Sequence, residues 1–125
     1  MKRQTNRQAQ QFDDENPCKE FLTGITRTLD VVGSKWKVPL LCLLYKRSKR
    51  FNELRRELPN VTQHMLAASL RELESDGLVS RTVYAESPPR VEYSLTEEGR
   101  SLEGVFLALG EWGRSREFVA NSSHL

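Results

Sequence analysis

Cysteine is scarce: Cys18 and Cys42 are the only two in 125 residues, too few for a disulfide framework or a cysteine-built structural zinc site. Histidine is equally rare, with His64 well inside the chain and His124 far from it in sequence, so no metal-ligand spacing arises. No apolar run approaches the roughly 20 residues of a membrane span. The opening Met1-Lys2-Arg3-Gln4-Thr5-Asn6 is polar, so no secretory signal is expected. A glycine-rich phosphate loop is missing, as is a nucleophile with a base and an orienting acid, which argues against an enzyme and against any cofactor. There is no internal repeat. What remains is 38% hydrophobic and 29% charged, enough for one modest core in a single cytoplasmic domain.

The net charge of +2 conceals an uneven distribution. Residues 46–71 hold Lys46, Arg47, Lys49, Arg50, Arg55, Arg56 and Arg71 against only Glu53 and Glu57, while residues 72–80 and 96–125 are net acidic. A concentrated positive block in a near-neutral chain fits a phosphate-binding face, and it equally fits a solvated basic helix surface. Charge alone does not separate the two.

Residues 1–16 are polar and charged, with only Phe12 bulky and apolar, and are read as an arm ahead of a domain at 17–120 and a tail at 121–125. Within residues 22–32, Leu22, Ile25, Leu29, Val31 and Val32 recur at helical spacing and Gly33 closes the segment. Ser34 is placed to cap a second helix carrying Trp36, Val38, Leu40, Leu41, Cys42, Leu43 and Leu44. That density predicts burial on most sides, with Cys42 a small core residue. Pro39 is tolerable only near that helix's start. Phe51, Leu54 and Leu58 share one stripe of a third helix, Pro59-Asn60 breaks it, and Thr62 caps a fourth over residues 63–76, ended by Gly77. Two short helices joined by such a break describe a helix-turn-helix. Alternation then takes over: Val79, Arg81 and Val83, and later Val91, Tyr93 and Leu95, read as a two-stranded hairpin around Glu86-Ser87-Pro88-Pro89. Thr96 caps one last helix with Leu102, Val105, Phe106, Leu109 and Trp112 at i, i+3, i+4 and i+7 spacing. The fold expected is mostly α with a small β-hairpin wing.

At 100° per residue, Thr62, Met65, Leu66, Ser69, Leu70 and Leu73 fall on one side of the fourth helix, and Gln63, His64, Ala67, Ala68 and Arg71 on the other. The second set has no acid and holds groups suited to base edges: Gln for adenine, Arg for guanine, Ala for the thymine methyl. Glu72 and Glu74 lie toward the end, where a groove-bound helix leaves the duplex. An ordinary polar surface helix would look similar, and His64 in particular is either a DNA contact or simply exposed.

Four motifs in order carry a resemblance: Gly33-Ser34-Lys35-Trp36-Lys37; residues 50–59, Arg-Phe-Asn-Glu-Leu-Arg-Arg-Glu-Leu-Pro; Leu66 with residues 70–79; and residues 88–99 from Pro-Pro-Arg to Glu-Glu-Gly. From about Cys18 to Trp112 the chain resembles the HxlR family of bacterial winged helix-turn-helix regulators, within the MarR-like superfamily. The resemblance implies a homodimer that binds a pseudo-palindromic operator in double-stranded DNA as a repressor or activator, with repression the expected outcome. It implies that Lys35 and Lys37 meet phosphates near the second helix's start, that Arg50, Asn52, Arg55 and Arg56 clamp the backbone, and that Arg90 enters or borders the minor groove. For Arg55 and Arg56 a structural alternative stands beside this, pairing with Glu53, Glu57 or Glu74. Trp36 is read as a core anchor.

The resemblance also places dimer contacts on the terminal helices. Leu22, Ile25 and Leu29 on the first, and Phe106, Leu109 and Trp112 on the last, carry more apolar surface than one small domain needs, with Leu107 off the stripe. Cys18 matches a cysteine that in some members senses oxidants or electrophiles, so an oxidant or small-molecule inducer is a further expectation. Lys19 favours its thiolate, while Glu20 and Asp13-Asp14-Glu15 oppose it. The competing function is a winged-helix protein-interaction module without DNA binding.

Overall fold

The computed structural model describes residues 19–116. The arm, the tail and Cys18 lie outside the described residues. The chain divides after Gly33 into two units. In the first, α1 spans Lys19–Val32, three residues longer at its start than its apolar spacing indicated. Phe21, four residues before Ile25, extends the same apolar stripe, and Glu20 suits the positive end of the helix dipole. Gly33 donates its N–H to the Leu29 carbonyl at 2.8 Å. A Cβ there would collide with that same carbonyl, so the closing turn requires glycine.

The second unit, from Ser34 onward, runs α2 (Lys37–Lys46), β1 (Lys49–Arg50), α3 (Phe51–Glu57), α4 (Gln63–Ser75), β2 (Val79–Tyr84), β3 (Arg90–Leu95), α5 (Glu97–Arg100) and α6 (Glu103–Arg114). Ser34 does not cap α2. The N-cap is Trp36, already in helical conformation and without a side-chain cap bond, and Pro39 falls in the first turn, where a missing N–H is harmless. Lys37, Leu40, Leu41 and Leu44 form the buried face of α2, a single i, i+3, i+4, i+7 stripe rather than burial all round. Cys42 lies off that stripe and is exposed, which corrects its expected core position. Burial nevertheless pushes its thiol pKa up: the group is reachable but only partly hydrated. Trp36 is buried, as expected of an anchor.

Leu54 of α3, Val61, and Leu66, Leu70 and Leu73 of α4 complete the helical side of the core, with Leu78, Val79 and Leu95 beneath the sheet's base. Between α3 and α4, Val61 donates its N–H to the Leu58 carbonyl (3.0 Å) and buries its side chain. Thr62 then caps α4 by accepting the Met65 N–H at 3.0 Å. At the other end Gly77 adopts φ +79°, and the Leu78 and Gly77 N–H groups return to the Leu73 and Glu74 carbonyls. That is a Schellman stop, which needs a left-handed residue.

The hairpin has a third strand that the sequence reading missed. Sheet order is β1-β3-β2, all antiparallel, with Lys49 opposite Tyr93, Arg50 opposite Glu92, Val79 opposite Leu95 and Tyr84 opposite Arg90. A two-residue strand is too short to show alternation. Thr96 does cap a helix, accepting the Gly99 N–H at 3.0 Å, but that helix is the short α5. The chain turns at Ser101 and Leu102 before α6 begins, so the expected last helix is two. No described helix is long and apolar enough to cross a membrane.

Candidate nucleic-acid interface

Helix α4 presents the face its periodicity predicted. Leu66, Ser69, Leu70 and Leu73 point inward, while Thr62, Gln63, His64 and Arg71 are exposed and Ala67 and Ala68 half-buried. Met65, expected on the inner side, is instead 40% exposed. It sits in the first turn, beside Gln63 and His64, and counting it as apolar concealed its position. The outward surface of the first two turns is therefore free of acid and presents an amide, an imidazole, a thioether and small methyl groups.

Arg50, Asn52, Arg55 and Arg56 are exposed on and just ahead of α3. The acids that might have neutralised these arginines are otherwise engaged. Glu53 accepts from Arg47 at 2.8 Å and from the Arg50 backbone N–H at 2.8 Å, which lowers its carboxyl pKa to about 2. Glu57 pairs with Lys49 at 3.3 Å and Glu74 with Arg81 at 3.7 Å. Arg50, Arg55, Arg56 and Arg71 consequently form no ion pair among the described residues, and the pairing alternative for Arg55 and Arg56 is not what the structure shows. Arg50, Asn52 and Arg56 line an open groove of about 660 Å³ between the start of α3 and the hairpin.

Two expected contacts are placed differently. Lys37 is buried and bonded to Glu72 at 2.6 Å, because its stem belongs to the inner stripe of α2 and its ammonium must find a partner there. It does not reach solvent as a phosphate clamp. Lys35 is exposed, its ammonium 5.1 Å from the centre of the Trp36 ring. Arg90 is folded back on the hairpin, donating to Glu92 at 2.7 Å and to Glu86 at 2.9 Å over the Tyr84 ring at 4.0 Å. Its charge is met within the hairpin by these two carboxylates, and it lines the same open groove as Arg50, Asn52 and Arg56.

The expected dimer residues Leu22, Ile25 and Leu29 on α1 are exposed, as are Leu109 and Trp112 on α6, with Phe106 half-buried. Helix α6 buries none of its residues. Val105, Ala108, Leu109 and Trp112 line an apolar hollow of about 550 Å³ along it.

Two helices with an N-capped second member, followed by a hairpin whose second strand also pairs with the short β1 ahead of them, define a winged helix-turn-helix. The sequence also matches the HxlR-like helix-turn-helix family over residues 31–120, and the chain belongs to that family. It is 55% identical over 95 residues to the uncharacterized HTH-type transcriptional regulator YybR of Bacillus subtilis, covering 76% of each chain. Among solved structures it is similar to the redox regulator HypR in its oxidized form, with 53% identity and a TM-score of 0.73 over 77% of this chain and 99% of that one. The reduced form of the transcriptional regulator YodB from B. subtilis is also similar, at 33% identity and a TM-score of 0.65 over 77% of this chain and 90% of that one. This protein is a DNA-binding transcriptional regulator.

Proposed function

We propose that this regulator is a cytoplasmic, nucleoid-associated repressor whose α4 lies in the major groove of a pseudo-palindromic operator. Its DNA-binding domain spans 17–120, between the arm at 1–16 and the tail at 121–125. Thr62, Gln63, His64, Ala67, Ala68 and Arg71 face base edges and the adjoining sugar–phosphate. Lys35, Arg50, Asn52, Arg55 and Arg56 grip phosphates. One observation supports this above the rest: four guanidinium groups, those of Arg50, Arg55 and Arg56 on and just ahead of α3 and of Arg71 on α4, are exposed without intramolecular ion pairs among the described residues. A second copy covers the exposed apolar residues of α1 and, separately, those of α6, since two operator half-sites need two recognition helices.

An oligonucleotide selected from a random pool by the wild-type protein tests the reading. Its affinity falls steeply with salt through counterion release, and Arg55→Ala lowers that slope by about 1. If no sequence is enriched and binding to any DNA is negligible, a protein-interaction module takes its place.

The likeness to the redox regulator HypR and to the reduced form of the transcriptional regulator YodB favours a response to oxidants, with Cys18 the thiol that carries it. Operator release by an oxidant that survives unchanged in Cys18→Ser removes that assignment.

A further inference from the structure

Arg90 and Tyr84 form the last cross-strand pair of the hairpin, at the point where the ladder gives way to residues 85–89. The guanidinium stacks on the ring of its opposite neighbour at 4.0 Å. One arm bonds Glu92, two residues along the same strand face, and the other bonds Glu86 in the connection. The Glu86 N–H in turn donates to the Tyr84 carbonyl at 2.9 Å. One side chain thus ties together both strands and the loop between them, and its Nε is buried without a hydrogen-bond partner. The other cation of the β2–β3 hairpin, Arg81, is paired with Glu74 of α4. Turning Arg90 toward a phosphate would break two ion pairs and leave two carboxylates facing a polyanion.

We propose that Arg90 is a positioning residue that holds the wing in its DNA-binding shape and does not itself contact the duplex. This rests on the DNA-binding reading above. A planar fork is needed to bridge two carboxylates while lying on a ring, and a lysine offers neither the fork nor the stacking plane. Charge and clamp can therefore be separated in one pair of variants.

The measurements are affinity for the selected oligonucleotide against salt concentration, and amide hydrogen exchange of the free protein, for wild type, Arg90→Lys and Arg90→Gln. Both variants are expected to bind roughly three- to tenfold more weakly. Both keep the wild-type salt slope, and both exchange faster across residues 82–91. Wild-type binding by Arg90→Lys overturns the proposal, as does a slope reduced by about 0.9 in Arg90→Gln, the mark of a lost phosphate contact. Unchanged exchange in both variants overturns it as well, independently of any DNA. Failure of the wild-type protein to select an oligonucleotide would instead count against the DNA reading itself.

Discussion

Lys37 Nζ lies 2.6 Å from the Glu72 carboxylate, joining the first turn of α2 to the last turns of α4. The pair is lopsided, since the lysine side chain is 7% exposed and the glutamate 61%. Lys37 therefore holds the Glu72 carboxyl below its usual range, and the costs of losing each partner differ. Glu72→Gln strands a buried ammonium, whereas Lys37→Met leaves an acid that water already reaches. Thermal unfolding is expected to show Glu72→Gln less stable than Lys37→Met. The reverse order would mean the lysine stem, not its charge, is what the site needs.

Glu53 gives a pH signature. Its pKa is lowered to about 2 by the Arg47 bond first and the Arg50 N–H second, against about 4.3 in an unfolded chain. A carboxyl depressed on folding stabilises fully above the unfolded value and loses that contribution as pH falls toward the folded one. The stability gap between wild type and Glu53→Gln is thus expected to be constant above about pH 5 and to shrink steadily toward pH 2. A gap that does not change with pH would show that the carboxylate charge is not what matters.

Glycines offer a contrast in packing. A Cβ on Gly99 would run into the Leu78 carbonyl and approach Leu95 Cδ2 at 2.9 Å, while one on Gly24 meets nothing within 4 Å. Gly99→Ala is expected to cost about 1–3 kcal/mol by overpacking, and Gly24→Ala, inside α1, to gain about 0.5–1 kcal/mol. Leu66→Ala, which empties a fully buried position, should cost about 2–5 kcal/mol. Urea unfolding of the three variants measures all of them.

Helix α4 was legible because its signals agree: leucines at 66, 70 and 73, a threonine before the first turn and a glycine at φ +79° after the last. Its outward face followed from the same arithmetic, apart from Thr62 and Met65, which that arithmetic put on the inner side and which are exposed. What escaped was decided by contacts distant in sequence. Lys37 reads as a surface cation until α4 brings Glu72 beside it. Glu86 and Glu92 stand close to Arg90 in the chain, yet only the hairpin register shows them converging on one guanidinium. Strand β1 has no periodicity of its own and exists because β3 offers it a partner. Cys42 looked buried among leucines because a dense apolar run hides which stripe faces inward.

The placement of α4 in the groove is tested most directly by comparing Gln63→Ala, Arg71→Ala and Arg55→Ala on the selected oligonucleotide and on random duplex. Gln63→Ala and Arg71→Ala are expected to lose about 1–3 kcal/mol on the selected sequence and little on random DNA, while Arg55→Ala weakens both alike. Equal losses on the two duplexes for Gln63→Ala and Arg71→Ala would contradict base reading by this helix.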